Sequence, residues 1–131
     1  MIFEIEPVEQ ARPRAAYIGR RIIMYDPEKV KKFKKELSQL AKLHYRDEPL
    51  DGALEIEIYF YRQVQKSLSK KECARRLSGE HRPTVKPDLD NYIKSALDAL
   101  NGVLWTDDAR IVDLHAHKYY SDRPRIEIIV R

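Results

Sequence analysis

Asp88-Leu89-Asp90-Asn91 sets two carboxylates and an amide within four residues, with Lys86-Pro87 before them and Lys94 after. Clustered oxygen donors of this kind suit Mg²⁺ or Mn²⁺, because hard cations prefer carboxylate and water oxygens. One aspartate at this point is explained as a helix cap or by the helix dipole. Two of them followed by Asn91 leave a surplus, and crowded carboxylates repel one another until a divalent cation removes that cost. Lys94 stands four residues after Asp90 and projects to the same side of a helix. An ordinary ion pair at that spacing contributes only about 0.2–0.5 kcal/mol. At the edge of a metal site, the same ammonium would stabilise charge on a pentacovalent phosphate or assist proton transfer. Asp98, one turn further on, is an alternative partner for Lys94 in a structural role.

A helix must carry these groups. Leu89, Ile93, Ala96, Leu97 and Leu100 recur at helical spacing, Pro87 marks the boundary before them, and Asn101-Gly102 ends the run. Beyond it, Val103 to Thr106 leads to Asp107-Asp108. An acidic pair in a turn is ordinary, but a chain that doubles back after Gly102 returns this pair towards the start of the helix. Trp105 reads as core. The stretch from Ala109 to Tyr120 then reads as a strand and Arg125 to Val130 as another, paired with it as a hairpin. Asp113, His115 and His117 share one face of the first of these. That arrangement suits Zn²⁺ or Mn²⁺, and exposed strand positions or a subunit contact explain it at least as well.

Earlier in the chain, Ile2 to Ile5 reads as a short strand. Ala15 to Ile18 and Arg21 to Met24 read as a hairpin turning at Gly19-Arg20. Asp26-Pro27-Glu28 predicts a helix start with Asp26 as the cap. Val30, Phe33, Leu37, Leu40 and His44 continue it as one stripe, with Lys31, Lys32, Lys34 and Lys35 largely off it. Leu54, Ile56, Ile58 and Phe60 alternate with Glu55, Glu57, Tyr59 and Tyr61, which predicts a strand with one face in the core and the glutamates on the other. Gln63 to Leu77 is read as a thinly packed helix, with boundary signals at Ser67, Ser69 and Ser78-Gly79. Gly79 to Val85 is read as a loop.

The chain has 131 residues, a net charge of +4 and 43% hydrophobic residues, which fits one charge-rich globular domain spanning 1–131. A single cysteine, Cys73, excludes an intrachain disulfide and a cysteine-built zinc site. With no apolar run of membrane-spanning length and no signal peptide, a cytoplasmic location and no membrane partner are expected. Charge is unevenly spread: Arg62 to Lys86 carries a net +6 and Asp88 to Asp113 a net −4. A basic stretch beside an acidic one is what a metal-dependent enzyme acting on a polyanion needs. A solvated helix face is the plainer account of the basic part. The candidate phosphate contacts are Lys66, Lys70, Lys71, Arg75, Arg76, Arg82 and Lys86. Arg12 and Arg14 either touch DNA or serve as exposed edge charges.

The full string is far more specific than an Asp-x-Asp pair. Lys-Pro-Asp-Leu-Asp-Asn-x-x-Lys from Lys86 to Lys94 is followed by Asp98-Ala99-Leu100-Asn101-Gly102, Trp105-Thr106-Asp107-Asp108, Val112-Asp113 and Lys118. It resembles the RusA family of Holliday junction resolvases. Arg12-Pro13-Arg14 and Tyr25-Asp26-Pro27 extend the likeness forward, and the segment from Arg62 to Arg82 matches least. The resemblance implies an α/β (α+β) domain with a mixed sheet of about five to six strands and two to three helices. It also implies a homodimer that makes paired, Mg²⁺-dependent nicks across four-way junction DNA, with Mn²⁺ as a possible substitute. By motif position, it makes Asp88, Asp90 and Asp108 the metal ligands and Lys94 the assisting lysine, with Lys118 added to the DNA contacts. Two other readings stand beside it: a non-catalytic junction-binding or DNA-binding dimer, and a metal-dependent phosphohydrolase acting on RNA or small phosphoesters.

Overall fold

The computed structural model describes residues 1–131. At its centre lies β4 (Leu54–Gln63), whose alternating pattern buries Leu54, Ile56, Ile58 and Phe60 on one face. Its neighbours are β5 (Ile111–Ser121), which runs parallel to it, and β6 (Arg125–Val130), which runs antiparallel; β1 (Ile2–Phe3) closes the far edge beside β6. The predicted pairing of the last two strands therefore does not form. β4, whose buried residues are all apolar, takes the sheet centre and comes between them, and the turn at Asp122–Pro124 crosses its end. Because β5 is parallel to β4, the chain needs a long crossover to reach it, and the helix bearing the acidic string lies within that crossover.

Two helices cover the apolar face of the sheet. Helix α1 (Glu28–His44) buries Val30, Phe33, Leu37 and Ala41, so the predicted stripe is correct at its start and shifts at its end. His44 is exposed; its ring lies edge-on to Phe3 and its Nδ1 is 2.9 Å from the Leu40 carbonyl. Asp26 does not cap this helix. Its carboxylate accepts from Lys34 Nζ at 2.8 Å and from Gln10 Nε2 at 2.9 Å, which draws it away from the free amides of the first turn. Helix α3 (Leu89–Leu100) buries Tyr92, Ser95, Ala96, Leu97, Ala99 and Leu100. Its buried face is thus rotated from the predicted stripe, with Leu89 and Ile93 only half-buried. The rotation is set by Tyr92 stacking on Phe60 at 5.3 Å between ring centroids.

The predicted helix from Gln63 to Leu77 is shorter. β4 continues to Gln63, and α2 spans only Lys70–Leu77, with Ser69 Oγ capping it by accepting from the Glu72 amide. As expected from its composition, α2 buries no residue. It is held by polar contacts: the Glu72 carboxylate accepts from Arg75, Arg76 and the His81 ring, and the Arg76 guanidinium lies 4.6 Å above the Tyr120 ring. The bond from Arg76, then that from His81, holds the Glu72 carboxyl down at about 2.

Six strands and three helices form one α+β domain, but the strands divide into a mixed sheet of four and a separate two-stranded hairpin of β2 (Arg14–Ile18) and β3 (Arg21–Tyr25). No helix is long and apolar enough to cross a membrane.

The segment that leads into β2 is stitched to α3. Gln10 N donates to the Asn91 carbonyl at 2.9 Å, and Ser95 Oγ, fully buried, donates to the Val8 carbonyl at 2.5 Å. Deleting the hydroxyl leaves a carbonyl without its donor inside the protein, which costs about 1–3 kcal/mol. Ser95→Ala is expected to lower unfolding stability by that amount in urea titrations. An unchanged midpoint would mean that the stitch is not needed.

Candidate functional site

The acidic string begins where two cations fasten the chain. Lys118 Nζ on β5 donates to the carbonyls of Val85 and Pro87 at 3.0 and 2.9 Å, and Arg62 on β4 donates to the Lys86 carbonyl at 3.0 Å. Lys118 therefore positions the turn before Asp88. Burial, then the nearby Arg62 charge, pulls its pKa down, and Asp88 partly offsets this. Asp88 occupies the cap position of α3 in an extended conformation, yet its carboxylate makes no capping hydrogen bond; its main-chain carbonyl accepts from Asn91 and Tyr92 instead. Asp90 Oδ1 accepts from the Asn91 amide at 3.0 Å.

Along the exposed side of α3, Asn91, Lys94 and Asp98 line a polar cavity of 570 Å³ with Arg12, Asp26, Lys34 and Asp108. Lys94 pairs with neither of its candidate partners and has no ion pair with any group. Asp98 is taken by Lys34, whose Nζ also holds Asp26, at 2.6 and 2.8 Å respectively. This bridge ties α1 to α3. Sequence reasoning did not find it, because its members lie in three segments and Lys34 is one lysine among several.

Asp108 arrives from the other end of the helix. After α3, Gly102 adopts φ +79°, a left-handed turn that favours glycine, and the Trp105 indole is fully buried with Nε1 donating to Asn101 Oδ1 at 2.8 Å. Trp105 is thus the core anchor of a reversal that presents Asp107 and the short 3₁₀ turn Asp108–Arg110. Thr106 Oγ1 and the Arg110 guanidinium both hold Asp51, at 2.7 and 3.0 Å, and fix the turn from outside. Burial, then the charge of Asp107 and that of Asp98, pushes the Asp108 carboxyl up, and a hydrogen bond with Asn101 partly opposes this. Asp108 therefore lines the cavity near Asp98 and Asn101, towards the later turns of α3, while Asp88 and Asp90 stand at its first turn.

No three His, Cys, Asp or Glu side chains group closely enough to hold a metal ion. Asp88, Asp90 and Asp108 of one chain consequently do not fit a closed three-carboxylate cage. Nor do Asp113, His115 and His117: the His117 ring stacks on Tyr59 at 4.6 Å within an aromatic row on the sheet face away from the helices. Glu57 on that face accepts from the Tyr59 hydroxyl, a bond that raises the phenol to about 12.

The basic side chains separate into two groups. Arg75 and Arg76 are held by Glu72, and Arg82 bonds the Lys118 carbonyl at 3.2 Å with its guanidinium 4.2 Å from the Tyr119 ring centre. Lys66, Lys70, Lys71 and Lys86 are exposed, as are Arg12 at the cavity and Arg14 at the foot of the hairpin.

The family model described as "Endodeoxyribonuclease RusA" matches residues 4–131. A relative from Bacillus subtilis (strain 168), named "Uncharacterized protein YqaN", is 40% identical over 128 residues, covering 96% of this chain and 90% of its own length.

The Lys34 bridge has a defined pH window. Its hydrogen bond and charge lower Asp26, so that contribution is complete above the ordinary carboxylate pKa of about 4 and is lost as pH falls through the lower folded value. Lys34 itself is raised, because the bonds to Asp26 and Asp98 outweigh its burial, so its contribution is lost only as pH rises past about 10.5. Lys34→Met should cost about 1–2 kcal/mol at pH 7, with the penalty fading in acid below pH about 4 in paired thermal melts. A penalty independent of pH would assign the loss to packing.

Proposed function

Because the chain belongs to the RusA endodeoxyribonuclease family, we propose that it is a structure-selective endonuclease that resolves four-way DNA junctions by paired nicks. The observation that carries this reading is the cavity on α3, whose lining includes Arg12, Asp108 and a Lys94 that has no ion pair. An ammonium with no internal partner is free to meet an anionic substrate. Beside a scissile phosphate it would stabilise the charge that builds on the non-bridging oxygens during in-line attack. Arg12 would bind the adjoining phosphate and orient the strand.

The family implies a divalent cation, Mg²⁺ with Mn²⁺ as substitute, which when bound would polarise the phosphate and activate water. Asp88, Asp90 and Asp108 are the acids this reading assigns to the reaction. Since those of one chain do not close around an ion, it assigns them no coordination geometry. Two copies related by a two-fold axis would offer two such cavities to a junction that itself approximates two-fold symmetry. The second reading, a DNA-binding dimer that does not cut, draws on the same separation of the acids.

Asp90→Asn should bind a synthetic junction with near wild-type affinity and fail to nick it in Mg²⁺. Lys94→Ala should reduce nicking by about 10²-fold with binding largely kept. Wild-type cutting by Asp90→Asn removes the site assignment, and binding without any nicking by the unmodified protein selects the second reading.

The exposed lysines give a separate expectation. Replacing Lys66, Lys70 and Lys71 with Gln should flatten the dependence of log affinity on log salt by about 1 for each phosphate that is no longer neutralised. An unchanged slope would remove the start of α2 from the DNA path.

A further inference from the structure

The hairpin of β2 and β3 stands largely exposed; at its base, Lys31 lies 5.1 Å over the Tyr25 ring. Its first strand pairs only with its second, and both faces of the ribbon stay exposed. Tyr17 is opposite Ile22, and Ala15 is opposite Met24 on the same face. Tyr17, Ile22 and Met24 are 78, 61 and 60% exposed, and Ile18 on the other face is 62% exposed. An isolated two-stranded ribbon is marginal in water, and a contiguous apolar patch of this kind marks a surface built to be covered.

The charges on the arm say what covers it. Arg12, Arg14, Arg20 and Arg21 lie in or beside the ribbon, and no acidic residue occurs from Ala11 through Tyr25. None of the four guanidiniums makes an ion pair or a hydrogen bond. Bringing two such arms together about a two-fold axis would set like charges against each other. A polyanion complements them. The placement agrees: Arg12-Pro13 and Asp26, the residues at the two feet of the ribbon, line the same cavity as Lys94 and Asp108. A strand crossing that cavity would continue onto the arm. A two-stranded ribbon fits a DNA groove, and apolar side chains flanked by arginines are the means by which groove-binding proteins part stacked bases.

We propose that the Arg14–Tyr25 hairpin is a DNA-inserting wedge: Arg14, Arg20 and Arg21 hold phosphates while Tyr17, Ile22 and Met24 cover base faces exposed at the branch point. This rests on the DNA-cutting reading above and adds to it a part that opens the substrate. The branch point is where two coaxially stacked arms can part without interrupting either duplex arm, so an apolar face that covers the bases exposed there has most to gain.

The test uses the full chain and a synthetic junction carrying 2-aminopurine at the branch point or, as control, in one arm, in EDTA so that binding is read without cutting. The wild type should raise fluorescence several-fold at the branch and not in the arm. Tyr17→Ser/Ile22→Ser should abolish the rise while keeping its circular dichroism and the salt slope of binding. Arg20→Ala/Arg21→Ala should lower that slope by about 2. A rise that persists in the Tyr17/Ile22 variant, or a wild type that binds and cuts junctions with no rise, overturns the wedge and leaves the nuclease reading standing. Conversion of a wild-type dimer to a monomer by the Tyr17/Ile22 change, seen by sedimentation, also overturns it and makes the arm a contact between copies. A wild type that binds no DNA overturns both.

Discussion

The site depends on a division of labour within one helix turn. At 3.6 residues per turn, the positions that bury Tyr92, Ser95, Ala96 and Ala99 against the sheet oblige Asn91, Lys94 and Asp98 to face outward. The stack of Tyr92 on Phe60 fixes which way the helix is rolled. A turn of one position in either direction would draw Lys94 towards the core and lift an apolar residue into the cavity. Polar display and core packing are therefore set by a single variable, and the strand that anchors the roll, β4, is the one with the most regular alternation in the chain.

Around that helix, the cations divide between holding and reaching. Lys34, Lys118 and Arg62 direct their donors to carboxylates or carbonyls of neighbouring segments, and each is drawn partly out of water in doing so. Such groups are poor phosphate contacts, since a bound anion would have to compete with bonds already made. Lys94, the hairpin arginines and the lysines around the start of α2 have no such commitments. Net charge alone does not separate these groups. The free cations lie at the cavity, along the arm and beside β5, so a long polyanion would meet several of them in succession.

Much of the domain is legible in the chain because the relevant signals are local. β4, the β2–β3 ribbon, the run of α3 and its stop at Asn101-Gly102 each follow from alternation, a turn residue or a helical stripe. What escapes is decided at a distance. Asp26 has the sequence context of a cap but is drawn to Lys34, a residue whose orientation depends on how α1 packs. The separation of β5 from β6 depends on which strand wins the sheet centre, a competition among segments that no window of sequence contains. Ser95 looks like a neutral helix residue until the N-terminal segment is laid beside it.

The acids show the same limit at the site itself. Their spacing along the chain records that oxygen ligands are plentiful, and the reversal at Gly102 and Trp105 does return Asp108 to the helix. Where on the helix it returns is set by the length of that reversal and by the burial of one indole, and the outcome is the later turns of α3 rather than its beginning. Twelve residues of helix span roughly 18 Å, so a difference of a turn or two decides whether carboxylates share an ion or merely share a face. Within one chain they share neither a cage nor their nearest neighbours: Asp88 faces Lys118, and Asp108 faces Asp98 and Asp107. Burial first, and then the neighbouring charges of Asp107 and Asp98, disfavours the ionised form of Asp108. A positive group brought to this turn would oppose both effects and favour the ionised carboxylate.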